Sequence, residues 1–189
     1  LNFYCPRLGN IYIDGKNTKD INRNSLREQM AVVLQDPFIF ETDIKGNVGL
    51  DEGFSDAEIE KALMDVGAES IVKRGIHEKI FEKGNDFSQG EKQLISFARA
   101  YIRKPRILIL DEATSNIDTE TEKIIQKGIQ KLRENCTTFI IAHRLSTIKD
   151  VDKIIVLNKG KIIERGNHKS LMEQDGFYKN MYDEQMRNQ

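Results

Sequence analysis

Cysteine is nearly absent: Cys5 and Cys136 are the only two in 189 residues. They are too few and too far apart for a disulfide framework or a zinc knuckle, which leaves two reduced thiols of the cytosolic kind. No apolar run is long enough to span a bilayer, and no signal peptide opens the chain. Any attachment to a membrane is therefore expected through a partner or a segment outside this sequence. An excess of one charge is also lacking. Charged residues make up 31% of the chain but nearly cancel, to a net −1, and no basic run stands out. A nucleic-acid surface is thus not indicated. Internal repeats and low-complexity segments are missing too. The chain begins at Leu1 rather than a Met, in mid-pattern, and is read as a fragment, although 189 residues suffice for one substantial domain with a real core.

What is present is organised around Arg106-Ile-Leu-Ile-Leu-Asp-Glu-Ala-Thr-Ser115. The unbroken apolar run Ile107 to Leu110 reads as a strand buried on both faces, as in a parallel sheet. It runs directly into Asp111 and Glu112. Ligands of open α/β sheets bind beyond the carboxyl ends of such strands. Two adjacent acids there are costly unless a metal ion or a similar charge offsets them.

Earlier in the chain, Gly9 to Gly15 alternates as a short half-buried strand. Ser25-Leu-Arg-Glu28 fits a capping box. Met30 to Leu34 reads as a second buried strand, stopped by Pro37 after Gln35 and Asp36. Phe38 and Phe40 are expected in the core. From about Thr42 to Gly84 the pattern is helical, with a capping box at Ser55–Glu58 followed by Ile59, Leu63 and Val66. Ser88-Gln-Gly-Glu91 opens a further helix with an apolar stripe of Leu94, Ile95, Ala98, Tyr101 and Ile102, and Pro105 lies past its end. Thr119–Glu122 is one more capping box, with Ile125, Ile129 and Leu132 facing the core. Thr137 to Ile141 is a strand leading to His143. Lys153–Leu157 and Lys161–Glu164 flank a hairpin turn, and the tail from His168 is helical and polar.

Three strand ends therefore offer polar groups along one sheet edge: Gln35, Asp111 with Glu112, and His143. Magnesium near phosphates needs one or two protein oxygens plus water. Asp111 suits that role and the amide oxygen of Gln35 can add to it. Glu112 can accept a proton from an attacking water. His143 can hold a terminal phosphate or position that water. At Ser88–Glu91 a helix start is the plain reading. The same free amides attract anions, and Gly90 would let a phosphate come close. Glu91 is repulsive there unless it points away.

Phe87-Ser-Gln-Gly-Glu91 resembles the signature motif of ATP-binding-cassette (ABC) proteins, usually Leu-Ser-Gly-Gly-Gln. Ile107 to Glu112 resembles their Walker B strand, Ser115-Asn-Ile-Asp118 the D-loop, Gln35 the Q-loop glutamine and His143 the switch histidine. The order and approximate spacing match along essentially the whole chain. Ile140 to Thr147 and Glu82-Lys-Gly84 resemble the exporter branch, in which the cassette is fused behind a transmembrane domain.

The resemblance implies an α/β, P-loop NTPase-like sheet of mainly parallel strands. It implies a partial ABC ATPase domain over 1–189, with a helical subdomain at about 42–100 and a RecA-like core in the remainder. It implies ATP and Mg2+ as cofactors, with Asp111 and Gln35 in the metal shell, Glu112 as general base and His143 at the γ-phosphate. Ser88, Gln89, Gly90 and Glu91 would contact ATP held by a second ABC ATPase domain, identical or different, and Asp118 would reach across the interface. Phe38 to Val48 and the helical insertion would face coupling helices of the transmembrane domain, at the cytoplasmic face of the cell membrane.

Two departures stand in the signature, Gln89 for glycine and Glu91 for glutamine. A larger one is that no Gly-x-x-x-x-Gly-Lys-Ser/Thr stretch occurs, the loop that cradles phosphates with backbone amides and a lysine. The missing strands and loop are expected ahead of Leu1. Two other readings stand beside the exporter: a soluble cassette protein acting on DNA or ribosomes, and a regulatory cassette that has lost turnover.

Overall fold

Asp14 and Gly15 both adopt positive φ, 48° and 76°. That two-residue turn matches the twist of paired strands, and it joins β1 (Tyr12–Ile13) to β2 (Lys16–Asn17) in an antiparallel hairpin. The strand expected across Gly9 to Gly15 is thus shorter, because its last glycine is the turn itself. The computed structural model describes residues 6–81, 84–111, 119–142 and 145–187. Two units divide the chain, Leu1–Phe139 and Ile140–Gln189.

In the first unit, α1 (Arg23–Glu28) starts earlier than Ser25. Asn22 caps it, its Oδ1 accepting from the amides of Asn24 and Ser25 at 2.9 and 3.2 Å. With those amides satisfied, the capping box expected at Ser25–Glu28 has no helix start to serve. The strand β3 (Met30–Val33) pairs in parallel with β4 (Ile107–Asp111), from Met30↔Ile107 to Val33↔Leu110. The strand β5 (Thr137–Ile141) lies on the other side of β4. One face of β3 and β4 buries Ala31, Val33, Leu108 and Leu110, each large side chain contributing about 1.5–3 kcal/mol. On the other face Met30, Val32, Ile107 and Ile109 are only half-buried. Coverage on both faces was expected, but an apolar run reports what a strand tolerates, not what is laid over it.

The helical stretch consists of α2 (Ile44–Gly49), α3 (Asp56–Asp65) and α4 (Glu69–Arg74). Ser55 and Glu58 form the expected capping box on α3, and Ile59, Leu63 and Val66 are buried. The helix α5 (Gln89–Ile102) packs against α2, α3 and β3. It is buried on more than the expected stripe: Phe97 is fully enclosed, whereas Tyr101 and Ile102 are half-buried. The helix α6 (Thr119–Arg133) crosses α5 closely. A Cβ on Gly128 would stand 2.9 Å from the Val66 carbonyl oxygen and 3.0 Å from the Phe97 ring, so glycine permits that approach.

In the second unit, β6 (Ile154–Asn158) and β7 (Lys161–Gly166) form an antiparallel hairpin through Lys159 and Gly160, both at positive φ. Two helices follow, α7 (His168–Glu173) and α8 (Phe177–Arg187). The tail is not wholly polar: Leu171 and Tyr178 are fully buried with Leu145, Ile154 and Val156.

Candidate functional site

Gln35 and Asp111 leave adjacent strands at the same end. The last paired residues are Val33 and Leu110, so Asp111 follows one residue on and Gln35 two residues on. Asp111 is half-buried, on the same side of β4 as Ile107 and Ile109, and Gln35 is exposed. A parallel ladder forces this coincidence of ends, because both strands run out toward one edge. A carboxylate and an amide oxygen at neighbouring strand ends supply hard-oxygen donors of the kind that suits Mg2+ shared with phosphates. Among the described residues no group of three or more His, Cys, Asp or Glu could hold a metal alone. Glu112, Asp118 and His143 lie outside the described residues.

The Ser88–Glu91 segment is the N-terminus of α5. Ser88 caps it, its Oγ accepting from the Glu91 amide at 3.2 Å, while Glu91 Oε2 accepts from the Ser88 amide at 2.9 Å. The awkward carboxylate of Glu91 is therefore turned back onto the cap. Its other oxygen lies 3.9 Å from Arg74 Nη1, and the Arg74 guanidinium stands 4.0 Å over the Phe87 ring. Ser88 and Gln89 are exposed, whereas Gly90 is buried. A Cβ on Gly90 would overlap Thr121 Cγ2 of α6, so this glycine also serves the packing of two helices. Gly90→Ala is expected to cost about 1–3 kcal/mol by overpacking. Adding Thr121→Ser, which removes the methyl and keeps the hydroxyl, should recover most of that loss in urea unfolding.

Sequence reasoning missed a polar knot behind this helix. Arg99 donates from Nε to the Asn47 carbonyl oxygen at 2.7 Å, from Nη1 to the Phe38 carbonyl oxygen at 3.0 Å and from Nη2 to Asn47 Oδ1 at 3.2 Å. Asn47 is fully buried, and its amide also closes onto Phe40 N and O at 2.8 and 2.9 Å. Burial pushes the Arg99 guanidinium down to about 10, with Arg103 adding to it, and it stays charged at neutral pH. The knot holds out Phe38 and Phe40, which are 56% and 44% exposed rather than in the core. Their rings meet edge to face at 4.9 Å, and the Arg99 guanidinium lies 5.3 Å from the Phe40 ring. An arginine amid the apolar residues of α5 was the available signal. Gln93, on the same helix, is 1% exposed and its Nε2 has no hydrogen-bond partner among the described residues.

A groove of about 860 Å³ opens in the same unit. Phe54, Ala62 and Ile102 contribute apolar lining, and Arg27, Glu52 and Arg103 are among its charged residues. Glu52 and Arg103 are ion-paired.

A parallel sheet with polar groups at its carboxyl edge and helices packed against it defines an α/β protein of the nucleotide-binding type. Residues 1–115 match the family described as ABC transporter, and the chain belongs to that family. It is 52% identical over 96% of its length to the probable multidrug resistance ABC transporter ATP-binding/permease protein YheH of Bacillus subtilis, and spans 28% of that relative. It is 42% identical over its whole length to the multidrug resistance-like ATP-binding protein MdlB of Buchnera aphidicola, and spans 33% of it. The structure of a bacterial Atm1-family ABC exporter with ATP bound matches 97% of the chain at 38% identity with a TM-score of 0.88, and the chain spans 33% of it. The α/β fold is that of the exporter's ATP-binding part.

Proposed function

We propose that the chain is the ATP-binding and ATP-hydrolysing domain of an ABC exporter, closing on ATP with a second such domain to drive transport across a membrane. The observation that carries this is the meeting of Gln35 and Asp111 at one sheet edge on a fold that matches an ATP-bound exporter at a TM-score of 0.88. Asp111, with Gln35, would hold Mg2+, which offsets charge on the phosphates when bound. Glu112 would take the proton of the attacking water, and His143 would contact the γ-phosphate. Ser88, Gln89, Gly90 and Glu91 would face ATP held by the opposite domain, with Asp118 at the interface between the two. The helical subdomain would run from about 42 to 100.

Closure shifts a two-state equilibrium only by the difference in ATP affinity between the open and closed states. That difference must reach the membrane-spanning part, and the aromatic pair Phe38 and Phe40 with the nearby helical unit suits a coupling helix. Such a helix would bring apolar side chains to Phe54 and Ile102 of the groove. On this reading the protein would lie at the cytoplasmic face of a membrane, held there by a transmembrane part. No described helix is itself long and apolar enough to cross one.

Phosphate release that requires both ATP and Mg2+ is expected from the chain in its exporter, and an exporter that neither binds nor hydrolyses ATP would overturn the reading. The chain by itself supplies no Gly-x-x-x-x-Gly-Lys-Ser/Thr cradle. Titrated alone with labelled ATP, it is expected not to saturate below about 1 mM and to turn over none. Micromolar binding by the isolated chain would contradict this.

A further inference from the structure

Arg74 ends α4 and gathers the chain that leads into α5. Its guanidinium grips Glu78 with two hydrogen bonds, Nη2 to Oε1 at 2.6 Å and Nε to Oε2 at 3.1 Å. Nη1 donates to the Asp86 carbonyl oxygen at 3.4 Å, and the same nitrogen faces Glu91 Oε1. The Phe87 ring closes the guanidinium from one side. The side chains of Arg74 and Glu91 are only 29% and 25% exposed, so their charges are screened less than those of a surface pair. The hydrogen bonds to Glu78 hold the guanidinium above its ordinary range against the effect of burial, and the charges of Glu78, Glu91 and Asp86 add to this.

Glu91 stands under two opposed demands. A carboxylate in the first turn of a helix completes the capping box and suits the positive end of the helix. The same charge repels any anion brought to that helix start. Its two oxygens divide the tasks: Oε2 serves the Ser88 amide and Oε1 faces Arg74. The cap is kept while the charge is offset. We propose that Arg74 is the counter-charge to Glu91, a positioning residue that keeps the start of α5 open to a triphosphate without itself touching nucleotide. The inference rests on the reading that the Ser88–Glu91 segment faces ATP. Without its counter-charge Glu91 would repel the phosphates as they approach, so the loss falls on apparent affinity rather than on turnover at saturation.

The test replaces Arg74 in the exporter with two neutral side chains that keep much of the stem over Phe87, Arg74→Gln and Arg74→Met, and with one that keeps the charge, Arg74→Lys. Each neutral variant is expected to raise KM for ATP about two- to fivefold, the scale of one charge at a helix end, with kcat within about twofold. That ratio to the parent should shrink as salt rises from about 0.05 to about 0.5 M. Arg74→Lys should keep KM within about 1.5-fold of the parent, because the charge remains. In a Glu91→Gln background, Arg74→Gln should leave KM where that background sets it. With a parent that hydrolyses ATP, an unchanged KM in the neutral variants overturns the counter-charge alone. So does a rise that Arg74→Lys shares, one that salt does not reduce, or one that persists beside Glu91→Gln. Each of those would make Arg74 a packing residue serving Glu78 and Phe87. A parent with no turnover overturns the ATPase reading, and this role with it.

Discussion

Glu112→Gln is expected to lower ATP turnover in the exporter by about 10²–10⁴-fold, the range a positioned general base supplies, while ATP affinity stays within about threefold. Glutamine keeps the length and shape of glutamate but cannot take a proton from water. The phosphates keep their other contacts, so the effect separates chemistry from binding. Asp111→Asn provides the contrast. On the proposed reading it weakens the hold on Mg2+, and so lowers affinity and turnover together. If Glu112→Gln leaves phosphate release unchanged, the residue carries no proton and the chain is better read as a regulatory cassette. If Glu112→Gln and Asp111→Asn lose affinity equally, Glu112 belongs to the metal shell instead.

The parts legible in the sequence are those fixed by near neighbours. The capping box at Ser55–Glu58 and the helix start at Ser88–Glu91 are closed by residues three apart, whereas the same pattern at Ser25–Glu28 closes no cap because Asn22 starts that helix earlier. The hairpin at Lys159-Gly160 and the strands ending near Gln35 and Asp111 follow from turn residues and short apolar runs. The meeting of those two strand ends was also legible, because parallel strands in register must deliver their ends to one edge. The resemblance added roles for Glu112, Asp118 and His143, which lie outside the described residues.

What was not legible depends on distant partners. Phe38 and Phe40 carry core-like side chains, and nothing beside them in sequence says that they are exposed. Their position is set by Arg99, 61 residues from Phe38. Glu91 looked troublesome as a free charge, yet its oxygens are engaged by the Ser88 amide and face Arg74. Gly90 invited a phosphate-binding reading, and its packing against Thr121 became apparent only when α5 and α6 were laid together. In each case the local pattern named the residue type correctly and could not name the contact.

The knot around Arg99 makes the second large prediction. Arg99→Ala removes three donors at once and leaves the carbonyl oxygens of Phe38 and Asn47 without the guanidinium. Unpaired acceptors on the fully buried Asn47 cost more than the hydrogen bonds themselves were worth, so a loss of about 2–4 kcal/mol is expected. For a chain of this size that corresponds to a fall in Tm of about 5–15 °C. Arg99→Lys keeps the charge but not the planar fork that reaches three oxygens, and should recover less than half of the loss. Asn47→Leu deletes the fully buried amide that organises the same loop. Combined with Arg99→Ala it should cost less than the sum of the two, with a coupling of about 1–3 kcal/mol. Arg99 ties the aromatic pair to α5, so on the proposed reading Arg99→Lys should weaken the link between ATP turnover and transport more than it weakens turnover. A stable Arg99→Ala variant, within about 1 kcal/mol of the parent, would mean that the three hydrogen bonds are not what holds the loop to the helix. Additive losses from Arg99→Ala and Asn47→Leu would mean that the two residues hold it separately.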